Sequence, residues 1–247
     1  MKRLAYKTIK ISLVVLLAVG VLGGLRDLYK RYQVYRATNI EEMVKDATVK
    51  IIACPYRNQC GSGTGFVVGL TERGAYIVTN KHVCANAVLK PEDRKTYGQN
   101  MYNFSYVEVE KRGGGVGPGQ VLRVSQNSDL CLIYAKIKVK KSLKLAKGYK
   151  MQQVVSSYGF PQGGPVNLRG VIKKHDVFLL GLYNESNMLA WYGISGAAVV
   201  NQDGEVVGVM SNLLSSAKTR EEFKDRSKVY GSLFIPLEIL REFLGGN

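Results

Sequence analysis

The chain is poor in the residues that do acid–base and metal chemistry. Its 247 residues include two histidines, four cysteines and one tryptophan. There is no C-x-x-C pair, which excludes a zinc ribbon, and His82-Val83-Cys84 supplies too few ligands for a metal site. No metal or cofactor is expected. Acids are scarce as well: 19 Asp and Glu stand against 35 Lys and Arg, a formal net charge of +16. The glycine-rich stretch "KRGGGVGPGQ", Lys111 to Gln120, lacks the G-K-[ST] that grips phosphate and reads as a mobile hairpin loop. Regular alternation of strands and helices is missing, which disfavours a doubly wound parallel sheet. At 46% hydrophobic and 22% charged residues, disorder is not the expectation either.

What the chain has in excess is positive charge. It favours anionic partners but fixes none, because it is scattered over the N-terminal segment, Lys136 to Lys150 and Lys218 to Lys228. No aromatic-interleaved RNA motif accompanies it, so nucleic acid is not an expected partner. Residues 1–10 carry Lys2, Arg3, Lys7 and Lys10, and an apolar run, Ile11 to Leu25, follows before Arg26, Lys30 and Arg31. Such a run of about 15 residues spans about 22 Å as a helix, against a hydrocarbon core of about 30 Å. That length suits a signal segment, with Ala18-Val19-Gly20 as a cleavage site. Snorkelling by Lys7 and Lys10 lengthens the usable span. Residues 11–25 are therefore expected to be a transmembrane anchor or signal segment, with the membrane as a partner. The remainder is expected outside the cytoplasm (periplasmic or extracellular), and secreted if the segment is cleaved. Residues 26–47 read as a juxtamembrane linker, with a short helix opened by the capping-box sequence Thr38-Asn39-Ile40-Glu41 and ending near Asp46.

Residues 48–247 have a different texture. About a dozen short β-rich runs, from "TVKIIACPY" to "KVYGSLFIP", are broken by turn residues, which points to an all-β domain of barrels or sandwiches. "IPLEILREFLGG" closes the chain with Leu237, Leu240, Phe243 and Leu244 at helical spacing and glycine just after, the pattern of a docking helix. Ser215 to Lys228 reads as a charged surface loop. The four cysteines allow three full pairings, and spacing does not choose among them.

"WYGISGAAVV", Trp191 to Val200, places Ser195 between Gly193 and Gly196. Glycine permits turn geometry and close approach of a carbonyl, and two converging N–H groups there can hold an oxyanion. Both histidines precede Ser195, which excludes the Ser…Asp…His order of the α/β-hydrolases, and Ala197 breaks their G-x-S-x-G motif. His82 ends "AYIVTNKHV", a buried-looking strand. His175 lies between lysines and an aspartate and reads as a surface strand residue. Asp93 lies in a polar loop and Asp176 adjoins His175. Asp129 opens "NSDLCLIYAKI", a strand otherwise nearly all apolar. A carboxylate there needs a partner, because burying an unpaired charge is costly, and an imidazole N–H is a suitable one. The order is thus His82…Asp129…Ser195. An Asp46-led, subtilisin-like order conflicts with the strand-rich texture.

"GSGTGFVVG", "YIVTNKHV", "SDLCLIYAKI", "VVSSYGFPQGGPVNLRGVI", "GISGAAVVNQDGEVVGVMSN" and "GSLFIPLEIL" occur in the order of trypsin-like serine proteases, and the chain resembles their HtrA/DegS type from about Glu41 to Leu244. The resemblance implies two antiparallel six-stranded β-barrels of the chymotrypsin type and a peptide or protein substrate. It makes His82 the general base, Asp129 its orienting group and Ser195 the nucleophile, with the backbone N–H groups of Gly193 and Ser195 as the oxyanion hole. It implies a primary pocket walled by Met188, Leu189 and Ala190 on one side and Ser211, Asn212 and Leu213 on the other. It also implies a Cys60–Cys84 disulfide, which leaves Cys54 and Cys131 as free core thiols or as a second bridge. The family's usual G-N-S-G-G-P here becomes Gly193-Ile194-Ser195-Gly196-Ala197-Ala198, where the two added methyls are expected to tighten the turn. Ile194 replaces the aspartate that digestive enzymes pair with a newly cut N-terminus, so activation at Lys50-Ile51-Ile52 is not expected. No PDZ-type segment follows the terminal helix, so peptide sensing by such a module is not expected. Two rival readings stay open: a protease-fold protein that binds with its site idle, and a basic barrel protein that binds the envelope or nucleic acid.

Overall fold

The computed structural model describes residues 2–56, 59–85, 106–161, 164–178, 182–217, 222 and 225–245, with backbone alone for 2–21, 55, 56, 59, 85, 106, 178 and 226. The chain divides into two compact units, Met1–Glu41 and Glu42–Asn247.

The first unit is helical. Helix α1 runs from Lys2 to Asp46 without a break, so the capping-box sequence at Thr38 does not open a new helix. Thr38 instead sits mid-helix, where its hydroxyl donates to Val34 O at 3.0 Å, the back-bonding that a helix interior offers a threonine. The expected end near Asp46 is where α1 stops. Leu22, Leu25, Leu28, Tyr29, Tyr32, Val34 and Tyr35 all stand exposed on this helix. Most of the expected membrane segment, residues 11–21, has side chains outside the described residues. Among the described residues no helix is long and apolar enough to cross a membrane, so the anchor is not carried by the structure.

Among the described residues the second unit has twelve strands, in two closed antiparallel barrels. The first contains β1 (Thr48–Tyr56), β2 (Gln59–Leu70), β3 (Ala75–Thr79), β4 (Tyr106–Lys111), β5 (Val116–Val124) and β6 (Cys131–Ala135), in the order β1-β2-β3-β6-β5-β4. The second contains β7 (Val154–Gly159), β8 (Val166–Phe178), β9 (Leu182–Ser186), β10 (Ala198–Val200), β11 (Val206–Ser215) and β12 (Val229–Pro236), in the order β10-β11-β12-β9-β8-β7. Closure removes the exposed strand edges that an open sheet presents. Alternation sends one face of each strand inward: β6 buries Cys131, Ile133 and Ala135 and half-covers Leu132 and Tyr134. Ile51, the residue after the apparent activation site, is fully buried in the first core, among Val49, Ile77, Val107 and Ile133. A second core gathers Ile172, Met188, Ile194, Val207, Met210 and Phe234. The glycine-rich loop is shorter than its composition suggests, because Val116–Val124 already belongs to β5.

Residues 136–150 connect the barrels and touch both. Leu143 N–H donates to Val67 O in the first barrel, and Ala146 N–H to Val206 O in the second. Helix α3 (Leu237–Leu244) buries Leu237, Leu240 and Phe243, and Gly245 closes it in the left-handed conformation at φ 84°. Each such side chain contributes about 1.5–3 kcal/mol. Arg241 of α3 also donates to the Ala146 carbonyl, tying this helix to the connecting segment.

The cysteine pairing differs from the expected one. Cys54 bonds to Cys60 and Cys84 to Cys131, with none free. Strand register explains the first bond. Ala53 opposes Gly61 across the β1–β2 hairpin, which brings Cys54 and Cys60 within 4.1 Å, Cα to Cα. Cys60 is thereby removed from Cys84, whose neighbour across the core is β6.

Candidate active site

β3 ends at Thr79, and a one-turn helix, α2 (Lys81–Ala85), begins directly after Asn80. His82 therefore lies on a helix rather than at a strand end, with its side chain 50% exposed. Five residues are too few for helical periodicity to register in the sequence. Asp129 precedes β6 and is 18% exposed. Its Oδ2 lies 2.7 Å from His82 Nδ1, and its Oδ1 accepts the His82 backbone N–H at 2.9 Å. Asn80 Nδ2 donates to the Asp129 carbonyl at 2.9 Å, so side chain and backbone are both held. Asp176 is exposed on β8 with φ 56°, and Asp93 lies outside the described residues. His175 packs its ring against Tyr149, 5.2 Å between centroids, and its Nε2 is buried without a hydrogen-bond partner among the described residues.

The sequence placed Ser211 only on a pocket wall, but the structure adds a second role. Its hydroxyl donates to Asp129 Oδ2 at 2.8 Å, and its carbonyl accepts the Ser195 hydroxyl at 3.1 Å. The only hint in the sequence is a polar residue interrupting the buried run "VVGVM". Burial pushes the Asp129 carboxyl up, but the His82 ring, the His82 backbone N–H and the Ser211 hydroxyl outweigh it. The net result holds Asp129 below the ordinary carboxylate range. An ionised Asp129 accepts hydrogen bonds only, so His82 Nδ1 carries a proton, and in the neutral ring that tautomer leaves the lone pair on Nε2.

Ser195 lies on the loop leading into β10. Gly193 and Gly196 flank it at φ 96° and 87°. A side chain at Gly193 would meet Phe160 O at 2.7 Å, and one at Gly196 would collide with Thr64 O and Thr79 Oγ1. Both positions thus need glycine on conformational and steric grounds. Among the described residues neither Gly193 N–H nor Ser195 N–H has an acceptor. The methyls of Ala197 and Ala198 are buried, and Ala197 packs in the second core. Ile194 is buried in the same core.

On the expected pocket walls, Met188, Ala190 and Ser211 are buried, while Leu189 is 60% exposed. Asn212 is exposed and Leu213 half-buried. β11 pairs with β10 only as far as Val209, whereas its pairing with β12 continues through Asn212 and Leu213. Beyond Met210, one edge of β11 has no strand beside it among the described residues.

Two closed six-stranded barrels with this serine loop between them define a class, and sequence comparison agrees. The chain belongs to the trypsin-like peptidase family, whose domain model matches residues 63–209, over half of its length. It is similar to the serine protease HTRA1 of Xenopus laevis, at 29% identity over 165 residues, covering 60% of this chain and 30% of that one. Two solved structures of the HtrA-type protease AlgW with a tripeptide share the fold, at TM-scores of 0.65 and 0.64 and identities of 18% and 19%. Each covers 85% of this chain and 62% of its own. The chain thus spans less than a third of the curated relative and under two thirds of the solved ones.

Proposed function

We propose that the protein is an active serine endopeptidase that works through His82, Asp129 and Ser195. The observation that carries this reading is the linked set of contacts in which Asp129 meets both His82 Nδ1 and the Ser211 hydroxyl, while Ser211 O meets the Ser195 hydroxyl. In this reading Ser195 Oγ leaves the Ser211 carbonyl and donates to His82 Nε2. It then attacks the substrate carbonyl carbon as its proton passes to Nε2. The N–H groups of Gly193 and Ser195 stabilise the negative charge that develops on the carbonyl oxygen. Collapse breaks the C–N bond, His82 returns the proton to the leaving amine, and an acyl-enzyme remains on Ser195. Water, deprotonated by His82, releases it.

The rival reading, a protease-fold binding protein, is favoured by the Ser195 hydroxyl resting on Ser211 O instead of on His82. A fluorophosphonate probe separates the two. Wild type should be labelled on Ser195 and cleave unfolded protein, and Ser195→Ala should fold and do neither. A folded, unlabelled wild type would end the enzyme reading.

The N-terminal helix is read as a membrane anchor that holds the protease unit outside the cytoplasm. The basic start, the apolar run Ile11 to Leu25 and the exposed Tyr29, Tyr32 and Tyr35 beyond it support this, tyrosine being enriched at membrane interfaces. Two disulfides fit an oxidising compartment. Carbonate-resistant membrane association, with the barrels open to added protease only from the outer side, is the expected result. Release by carbonate would oppose the anchor.

A further inference from the structure

Thr64 is fully buried on β2 of the first barrel, yet all its polar groups are spent on the second barrel and on its neighbour strand. Its N–H donates to Ser195 O at 2.8 Å. Its hydroxyl donates to Gly193 O at 2.7 Å and accepts the Phe160 N–H at 2.9 Å. Its carbonyl accepts the Thr79 hydroxyl at 2.6 Å. The direction of the hydroxyl bonds is forced, because Phe160 N–H can only donate and Gly193 O can only accept. Only a group that donates and accepts at one atom can join them, and a hydroxyl does so.

These bonds act on alternate peptide planes of the serine loop. In the Gly193–Ile194 peptide, the oxygen is held by Thr64 Oγ1 and the N–H by Trp191 O at 3.0 Å. In the Ser195–Gly196 peptide, the oxygen is held by Thr64 N–H at 2.8 Å and the N–H by Met210 O at 2.8 Å. Both planes are thus fixed at both ends. The N–H groups of Gly193 and Ser195 belong to the peptides flanking these two, and they are the ones left without an acceptor among the described residues. Ile194 offers no charge to anchor the loop and packs in the second core instead.

We propose that Thr64 is a positioning residue for the oxyanion hole: its hydroxyl bridge from the first barrel sets the Gly193 and Ser195 N–H groups, with no ion pair at residue 194. The inference rests on the serine protease reading above. Because the lock is present in the uncut chain, the hole forms without cleavage at Lys50–Ile51.

The test compares wild type, Thr64→Val and Thr64→Ser in the full-length protein. Valine keeps the shape and removes the bridge, whereas serine restores it. Loss of one oxyanion donor costs about 10²–10³ in kcat, and misdirecting the hole should cost less, about 10- to 100-fold. Thr64→Val should lose this in kcat and in fluorophosphonate labelling rate, with KM and the pH profile unchanged. Its affinity for a peptidyl boronate, which mimics the tetrahedral oxyanion, should fall in parallel, while its affinity for a cleaved product peptide should hold. Thr64→Ser should recover most of the rate. If wild type is labelled and folded Thr64→Val is labelled as fast, the positioning role is wrong and the protease reading stands. If Thr64→Val loses boronate and product peptide affinity equally, the role is merely structural. If folded wild type is not labelled at all, both readings fall.

Discussion

Cys84 and Cys131 are bonded across a separation of 47 residues, the separation of His82 from Asp129. Each cysteine lies two positions beyond one member of that pair. The bond therefore staples α2 to β6 just behind the contact between imidazole and carboxylate, and both cysteines are fully buried in the first core.

Removing that staple should weaken fold and site together. Chain-entropy arithmetic puts its stabilisation at about 4 kcal/mol and that of the short Cys54–Cys60 loop at about 2 kcal/mol. Paired replacement of Cys84 and Cys131 by alanine and valine should lower the denaturant midpoint more than the same change at Cys54 and Cys60. It alone should also reduce turnover of the folded protein. Equal activity losses from the two pairs would show that the staple has no special link to His82.

On the proposed triad, Asp129→Asn should fold and lose on the order of ten-thousand-fold in turnover, by analogy with the same change in trypsin. Its effect on stability has a defined sign. The folded carboxyl titrates below its ordinary value, so its contribution is complete above the unfolded-state value of about 3.9 and is lost as pH falls through the lower folded value. The stability gap between wild type and variant should hold steady from pH 8 to 5 and narrow below about pH 4. A gap that opens on acidification would contradict the assignment.

At the alkaline end, Tyr149 is the group to watch. Burial, together with its hydrogen bond to Glu238 at 2.9 Å, pushes the phenol up to about 12 from 10.0. The neutral phenol is the form the fold prefers, so this group weakens the fold as pH rises from about 10 to about 12. Tyr149→Phe should flatten that part of the stability profile. An unchanged slope would mean that another group carries it.

Cleavage should follow small or medium apolar residues such as Ala, Val or Leu. No acid lies among Met188, Leu189 and Ala190 or among Ser211, Asn212 and Leu213, so a buried Lys or Arg would lose hydration without compensation. The open edge of β11 offers the substrate backbone a strand to pair with. One methylene should change rates by only about 10- to 200-fold, so the preference will be soft. A peptide-library digest dominated by cuts after Arg or Lys would reject this pocket and leave the serine chemistry intact.

The sequence by itself determined the strand-rich domain, the terminal helix at Leu237 and the order of His82, Asp129 and Ser195. These follow from local patterns: period-two burial, helical spacing and the polarity of one carboxylate at the mouth of an apolar strand. The tertiary structure alone decided what depends on register and on contact between distant segments. Cys60 pairs with Cys54 because a hairpin sets them opposite, and Cys84 pairs with Cys131 because the core brings α2 onto β6. Ser211 reaches Asp129 from 82 residues away, and Thr64 reaches Gly193 from 129. No local pattern marks such residues, since their hydrogen-bonding needs are met by groups that only the closure of two barrels brings within reach.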